Sequence, residues 1–582
     1  MTVSCVLRGH GHRYEVQVVV QVFFPGARFC FREHVSEAEG SLEGGYCVES
    51  FFDGENAACA VVYKDGAEIA RKRFDADEFN NAARSVDVGK NPKSNFLNPR
   101  RVLMLAVYHA LQTAVGAYTP WGALTGVRPS KPVREWMRDG CDDAEILERL
   151  GDPFCVNGDK ARLAVAVAHA ERRVEARIRG TVGVYVGVPF CPSRCVYCSF
   201  NSTDAVASED VLDAYISAII AEARQVRIGG CGRNGRSLEV GARISSIYIG
   251  GGTPTFLPEK LLEKMLFAMR ENFALLPDAE FTVEAGRPDT LTAAKLKILR
   301  KYGVNRIAVN PQTLNDSTLA AIGRGHTAAD FFRAFALARD AGFDCINTDL
   351  IAGLPGETAD DMRRNMDALA ALAPENITIH TLAIKRASRL HELRHTPNSA
   401  HSHEAGSRFP PHEKNESASD TRRLDFHRAE NTIRQSRDFL AQTHQKNARQ
   451  NAQHPAYTAD IHPVEAALSA AATACAAMGL SPYYLYRQKN MVGLFENVGY
   501  ALPGRECLYN VGMMAEMQTI LGIGAGAGSK YITESGFESG CESGFESEFE
   551  RTQTPDKCAN GVKIRREFNA KNPEIYIERI DS

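Results

Sequence analysis

The chain has 582 residues, 44% hydrophobic and 24% charged, enough for two or three domains with cores of their own. A formal charge of −3 and short basic clusters such as Arg71 to Arg73, which read as solvated faces, give nucleic acid no electrostatic footing. No run of about 18 apolar residues offers a membrane span, the opening MTVSCVLRGHGHRYE lacks a secretion signal's apolar core, and fifteen scattered cysteines in so long a chain fit a reducing cytoplasm.

Residues 1–175 read as a separate α+β domain. Tyr14–Phe24 and Ala57–Tyr63 are rich in β-branched and aromatic residues and predict strands. Lys64-Asp-Gly66 predicts a hairpin turn. Pro99–Val115 carries Leu103, Leu105, Ala106 and Leu111 at helical spacing. Trp121-Gly-Ala-Leu-Thr-Gly-Val-Arg-Pro129 reads as a buried connector, and Ala161–Arg179 as a helix with a charged face. No catalytic constellation stands out in this part.

Residues 181–390 alternate strand and helix. Strands are expected at Gly183–Val188, Ser246–Ile249, Phe281–Glu284, Arg306–Val309, Cys345–Asp349 and Asn376–Ile379. Val211, Leu212, Tyr215, Ile216, Ile219 and Ile220 share one face of the first helix, after a Ser208 cap. Such alternation argues for a parallel sheet with right-handed crossovers, with sites at the C-terminal ends of the strands.

Residues 391–463 hold nine of the sixteen histidines, irregularly spaced among Asn, Gln, Ser, Glu and Arg. The segment reads as a polar, disordered insertion rather than a metal-binding tract, because it cannot bury a core. Residues 464–582 read as a C-terminal region, opened by an Ala-rich helix at Val464–Gly479 and interrupted by a low-complexity insertion at 534–560. Leu521-Gly-Ile-Gly-Ala-Gly-Ala-Gly-Ser-Lys530 is neither a P-loop nor a G-x-G-x-x-G fingerprint. It reads as backbone approaching a cofactor or the rim of the fold closely. Arg565–Ile580 resumes an ordered pattern.

Chemistry concentrates after the first strand of the 181–390 segment. Cys191, Cys195 and Cys198, spaced C-x3-C-x2-C, put three thiolates on one tight loop. Such a loop can hold three irons of a [4Fe–4S] cluster and leave the fourth open to an outside ligand. A zinc site would pair C-x2-C with a second pair of ligands, and none is evident; the next cysteines are Cys155 and Cys231. Downstream strand ends supply polar groups. Gly250-Gly-Gly-Thr-Pro-Thr255 lets backbone approach a ligand, though strand-ending glycines are often only turns. Glu284 ends an apolar strand, where a carboxylate needs a partner. Gln312 and Arg324 follow the fourth strand, and Asp349 ends the fifth, where a helix N-cap is the plain alternative.

The stretch Tyr185-Val-Gly-Val-Pro-Phe-Cys-Pro-Ser-Arg-Cys-Val-Tyr-Cys-Ser-Phe200 resembles the radical S-adenosylmethionine (SAM) superfamily. Within it, the resemblance is to the oxygen-independent coproporphyrinogen III oxidase family, nearest its HemZ branch and related to the heme chaperone branch HemW. Trp121–Pro129, Tyr483–Asn490, Glu496–Tyr500 and Leu521–Lys530 also resemble the HemZ branch. The resemblance implies an incomplete, TIM-like (β/α)6 barrel with a [4Fe–4S] cluster on Cys191, Cys195 and Cys198. It implies SAM contacts at Tyr185, Tyr197, Gly251, Gly252, Thr253, Glu284, Gln312, Arg324, Asp349 and Ala383. Two SAM molecules can occupy the site in that family; Glu284, Gly251 and Tyr185 match the first, and Gly252, Thr253, Gln312, Arg324 and Asp349 the second. The implied reaction converts coproporphyrinogen III to protoporphyrinogen IX in the cytoplasm. A SAM-derived 5′-deoxyadenosyl radical would drive it, fed by an electron donor such as a flavodoxin or ferredoxin. Arg386 is a candidate for a substrate propionate. Two positions depart from the founding oxidase: Gly187 stands where it has histidine, and Phe200 where it has cysteine. They leave open a heme-transfer protein that keeps its cluster, or a radical SAM enzyme acting on another substrate.

Overall fold

The computed structural model describes residues 1–32, 45–78, 97–117, 119–199, 207–227, 242–385, 387–390, 461–488, 491–534 and 562–581. Phe200, Arg386 and nearly all of the two expected insertions, 391–463 and 534–560, lie outside them. The chain divides into two compact units, Met1–Ala176 with Pro482–Gly499, and Arg177–Ser481 with Tyr500–Ser582.

The first unit opens with β1 (Thr2–Arg8), α1 (Arg13–Phe23), β2 (Arg28–Arg32), β3 (Tyr46–Phe52), β4 (Ala57–Lys64) and β5 (Ala67–Asp75). Its sheet runs β2-β1-β3-β4-β5, with β1 parallel to both neighbours and the rest antiparallel. The strand expected over Tyr14–Phe24 is instead α1. Val16, Val19, Val20 and Phe23 recur at helical spacing and all four are buried, so the burial period overrides the β-branched composition. The β4–β5 turn is as expected. Asp65 and Gly66 both have positive φ, 52° and 80°, the geometry whose twist suits a two-residue hairpin.

Helix α2 (Pro99–Val115) matches its expected bounds because both ends are marked. Asn98 caps the Arg101 N–H, Pro99 opens the first turn, and Gly116 closes it in the left-handed region. Phe23 of α1 meets Tyr108 of α2 with ring centroids 5.3 Å apart, and α2 packs on β3, β4 and β5. Helices α3 (Ser130–Arg138), α4 (Asp143–Gly151) and α5 (Gly158–Ile178) follow.

The second unit is built on β6 (Val182–Val188), α6 (Glu209–Arg227), β7 (Ile244–Gly251), α7 (Glu259–Asn272), β8 (Leu275–Ala285), α8 (Ala293–Lys301) and β9 (Arg306–Val309). It continues with α9 (Asp316–Ala321), α10 (Ala328–Asp340), β10 (Cys345–Ala352), α11 (Ala359–Leu372), β11 (Asn376–Thr381) and α12 (Ile461–Ala477). Every strand expected between 181 and 390 is present. The six pair side by side in chain order, all parallel, giving one large, mainly parallel sheet. Their C-terminal ends therefore line up along one edge, the arrangement that gathers a site.

Most of β12 (Ser481–Tyr486) and β13 (Asn497–Ala501) belongs to the first unit. There three of the HemZ-like stretches, Trp121–Pro129, Tyr483–Asn490 and Glu496–Tyr500, meet. Trp121 Nε1 donates to Glu496 Oε2 at 2.7 Å, Lys160 Nζ donates to Oε1 at 2.5 Å, and Arg487 N donates to Val127 O at 2.8 Å. Trp121 is 1% exposed, as a buried connector should be. Gly122 has no substitute, since a Cβ there would stand 2.0 Å from Phe154 O.

The remaining segment of the second unit is α13 (Leu508–Ala515), β14 (Thr519–Ile523), β15 (Gly528–Glu534), β16 (Val562–Phe568) and α14 (Pro573–Asp581). β14 extends the sheet parallel to β6, and β15 and β16 add an antiparallel margin. The glycine run turns between β14 and β15. A Cβ on Gly524 would stand 2.5 Å from Gly187 O, so two backbones touch where side chains have no room. A buried carboxylate fixes this contact: Glu222 of α6 accepts from Gly524 N at 2.9 Å, Asn569 Nδ2 at 3.0 Å and Tyr576 Oη at 2.6 Å.

Candidate functional site

The three-cysteine loop leaves the C-terminal end of β6 and is pinned by the loops after three neighbouring strands. From β7, Gly252 N donates to Val188 O and Thr253 N to Phe190 O, both at 2.8 Å. From β8, Arg287 Nη1 donates to Ser193 Oγ at 3.0 Å. From β9, Val196 N donates to Ile322 O at 3.0 Å and Ser193 Oγ to Gly323 O at 3.2 Å. Phe190 is buried edge-on against Tyr215, centroids 5.1 Å apart. These bonds fix the backbone of the loop against the ends of β7, β8 and β9.

Cys191 Sγ lies 3.4 Å from Thr253 Oγ1, and burial raises its thiol pKa. Among the described residues, no three His, Cys, Asp or Glu side chains converge on a single ion.

Glu284 is the centre of the strand-end array. Its Oε1 accepts from Tyr248 Oη at 2.6 Å and its Oε2 from Gly251 N at 3.2 Å. A Cβ on Gly250 would stand 2.8 Å from that carboxyl carbon, so a side chain there would push the carboxylate from its place. Burial, aided by the nearby charge of Asp349, raises the Glu284 pKa to about 7 against the two hydrogen bonds. Asp349 behaves oppositely. Burial pushes its pKa up, but His380, with Nε2 3.6 Å away, and Asn347, donating at 2.8 Å, more than compensate and keep it below the usual carboxylate range. The site thus sets an acid that titrates near neutrality beside one that stays charged.

Gln312 is buried with φ of +70°, a costly backbone for a residue other than glycine. Two backbone bonds impose it, Gln312 N to Asp349 O and Ile351 N to Gln312 O, both 2.9 Å. Arg324 is already engaged: Nη1 donates to Gly286 O at 2.6 Å and Nη2 to Tyr197 Oη at 3.2 Å, while Nε has no partner. It joins the aromatic residue of the cysteine loop to the end of β8. Ala383 lies half-buried just beyond β11.

Tyr185 stacks with Tyr509, centroids 5.7 Å apart, and Tyr509 with Tyr248 at 4.6 Å. Sequence reasoning missed Tyr248, Tyr509, His380 and Asn347. Tyr248 and Asn347 could have been found from period-2 alternation, since each lies two residues from a strand-end glycine or a chosen residue; His380 comes to the face of Asp349 only through the register of β10 with β11. Tyr509 gives no such signal. Glu280 Oε2, on β8, accepts from Leu508 N at 2.9 Å, and its Oε1 from Cys507 Sγ at 3.1 Å. Arg306 Nη1, on β9, donates to Arg505 O at 2.9 Å. These bonds anchor the start of α13 at the sheet and bring Tyr509 to the other two rings.

Gly187, where resemblance leads one to expect histidine, faces the glycine run. A Cβ there would stand 3.1 Å from Ala525 O and 3.6 Å from Tyr185 Cε1. Gly187→His is therefore expected to overpack this contact and cost about 1–3 kcal/mol, read as a lower melting midpoint by calorimetry. A variant that melts with the wild type would show that the run yields freely.

Residues 185–369 match the radical SAM superfamily family model. An oxygen-independent coproporphyrinogen-III oxidase-like protein HemZ from Bacillus subtilis is 32% identical over 450 residues, spanning 76% of this chain and 75% of the relative. The heme chaperone HemW of the same organism is 36% identical over 212 residues, 36% of this chain and 52% of the relative. Among solved structures, coproporphyrinogen III oxidase HemN from Escherichia coli aligns over 71% of this chain and 72% of its own, with TM-score 0.42 and 19% identity.

Proposed function

The chain belongs to the radical SAM superfamily, in the oxygen-independent coproporphyrinogen III oxidase family, and from that premise we propose that it decarboxylates coproporphyrinogen III oxidatively to protoporphyrinogen IX. The six consecutive parallel strands are read as the open (β/α)6 barrel of the superfamily. The observation that carries the cofactor reading is the contact at Gly252. A Cβ there would stand 2.6 Å from Phe190 O and 3.0 Å from Cys191 Sγ, so a glycine-rich strand end closes directly on the first cluster cysteine. The substrate is inferred from the HemZ relative, 75% of whose length this chain matches.

The residues present fit both cofactors. Cys191, Cys195 and Cys198 would hold a [4Fe–4S] cluster, and the strand ends from Tyr185 to Asp349 would hold SAM. When bound, the pair supplies reductive SAM cleavage and, through it, hydrogen abstraction. The protein's part is positional. Gly251 and Gly252 admit the ligand's backbone-sized groups, Asp349 offers a permanent negative charge, and Glu284 offers one that depends on pH. Tyr185, Tyr248 and Tyr509 give a stacked aromatic surface. A soluble one-electron donor such as a flavodoxin or ferredoxin would reduce the cluster. Among the described residues, no helix is long and apolar enough to cross a membrane.

The test is anaerobic turnover of reconstituted protein with SAM, reductant and coproporphyrinogen III, following vinyl porphyrin and 5′-deoxyadenosine by chromatography. Both products are expected in step, and Cys195→Ala is expected to reduce both by at least about a thousandfold, since a cluster cannot be held by two ligands on this loop. SAM cleavage without porphyrin change would sink the substrate. Neither product, with stoichiometric heme binding instead, would favour the chaperone reading.

A further inference from the structure

Asn310 follows β9 and was given no role by its place in the sequence. It is only 7% exposed, yet its Oδ1 has no hydrogen-bond partner. The register explains where it stands. Glu284 pairs with Ala308, and Ala308 with Asn347, so Asn310 comes one alternation beyond Ala308, on the face shared with Glu284 and Asp349. Its Nδ2 is 3.8 Å from where a Cβ on Gly286 would be, and Gly286 has none. The neighbouring Arg324 Nε is likewise buried without a partner. Native proteins satisfy buried polar groups, and an orphaned acceptor at a strand end between two carboxylates points to a ligand that supplies the donor.

We propose that Asn310 reads the adenine edge of the nucleoside cofactor, its Oδ1 accepting from the exocyclic amine and its Nδ2 donating to N7. A planar carboxamide carries one acceptor and one donor side by side, and this matches the amine-and-nitrogen edge of adenine in a bidentate pair. The position fits the nucleoside end rather than the amino-acid end. Thr253 N and Gly252 N tie the β7 end to the cysteine loop, so the iron-chelating end belongs there. Asn310 is two strands away, next to Gln312. The glycine at 286 leaves the ring edge free to approach. Recognition on this edge also selects: hypoxanthine presents two acceptors there, its carbonyl and N7, so in either orientation of the carboxamide Oδ1 faces an acceptor.

This inference rests on the SAM reading above, and the experiment separates the two. Reconstituted wild-type protein, Asn310→Leu and Asn310→Ser are titrated anaerobically by calorimetry with S-adenosylhomocysteine and S-inosylhomocysteine. Iron content and circular dichroism establish that each variant is folded and loaded. Wild type is expected to prefer the adenine ligand. Both variants are expected to lose on the order of 10- to 100-fold in affinity for it, with little change toward the hypoxanthine ligand, so that the preference disappears. Unchanged affinity for the adenine ligand in the variants, or equal loss for both ligands, overturns the role of Asn310. A loaded wild type that binds neither ligand overturns the SAM reading itself, and the role of Asn310 with it.

Discussion

Gly252→Ala is expected to leave the sheet folded and the protein without its iron. The added methyl group would meet Phe190 O at 2.6 Å, Phe190 N at 2.9 Å and Cys191 Sγ at 3.0 Å. The first two are backbone atoms, so no side chain can swing aside. They belong to the segment that Gly252 N and Thr253 N hold at Val188 and Phe190 by bonds of 2.8 Å. Relief requires the β7 end and the cysteine loop to part, at a cost of about 1–3 kcal/mol taken from the geometry of the first thiol rather than from the core. Iron and sulfide per chain after reconstitution should fall about tenfold or more. Gly126→Ala, where a Cβ meets nothing within 4 Å, serves as the neutral control. Wild-type iron content in Gly252→Ala would mean that the β7 end does not support the cluster loop.

Glu284→Gln is expected to raise stability and abolish cofactor binding in the same molecule. Burial, with the charge of Asp349, lifts the Glu284 pKa to about 7 from its ordinary 4.5. Below pH 4.5 the group is protonated folded and unfolded, and contributes nothing. Between 4.5 and 7 the unfolded chain binds fewer protons than the folded one, so stability falls as pH rises, and above 7 the loss levels off. The full loss is about 3 kcal/mol. Glutamine removes this dependence, while one hydrogen bond, from Gly251 N or its equivalent, is lost at about 1 kcal/mol. The net expectation at pH 8 is a gain of about 2 kcal/mol in the second unit, with SAM binding lost. Calorimetry between pH 4 and 8 checks the sign: the wild-type midpoint should decline more steeply than that of the variant. Parallel curves would mean that Glu284 is already charged at low pH, held by its two donors.

Much of this was legible in the chain itself. The six strands between 181 and 390 could be read because short β-branched runs alternate with helices of clear amphipathic period. Pro99–Val115 was legible to the residue because Asn98, Pro99 and Gly116 mark its ends. Tyr14–Phe24 misled because three successive valines signal strand by composition while the burial period signals helix. Period prevails there, since α1 must present one apolar face to α2.

The chemical inventory is written in the chain: three thiols on one loop, carboxylates and glycines at strand ends, and the order in which they recur. Those are local facts, set by spacing along a strand or turn. Which groups touch is set by the fold. It joined Tyr509 to Tyr185 and Tyr248 through Glu280, whose bond to Leu508 spans 228 residues. It brought Pro482–Gly499 into the first unit, where Glu496 receives Trp121 and Lys160. It laid the glycine run against Gly187, closing the space a histidine would need. And it left Asn310 buried without a partner. The reason is the same in each case: hydrogen bonding and burial are settled between segments far apart in the chain, and periodicity carries information only about neighbours within one element.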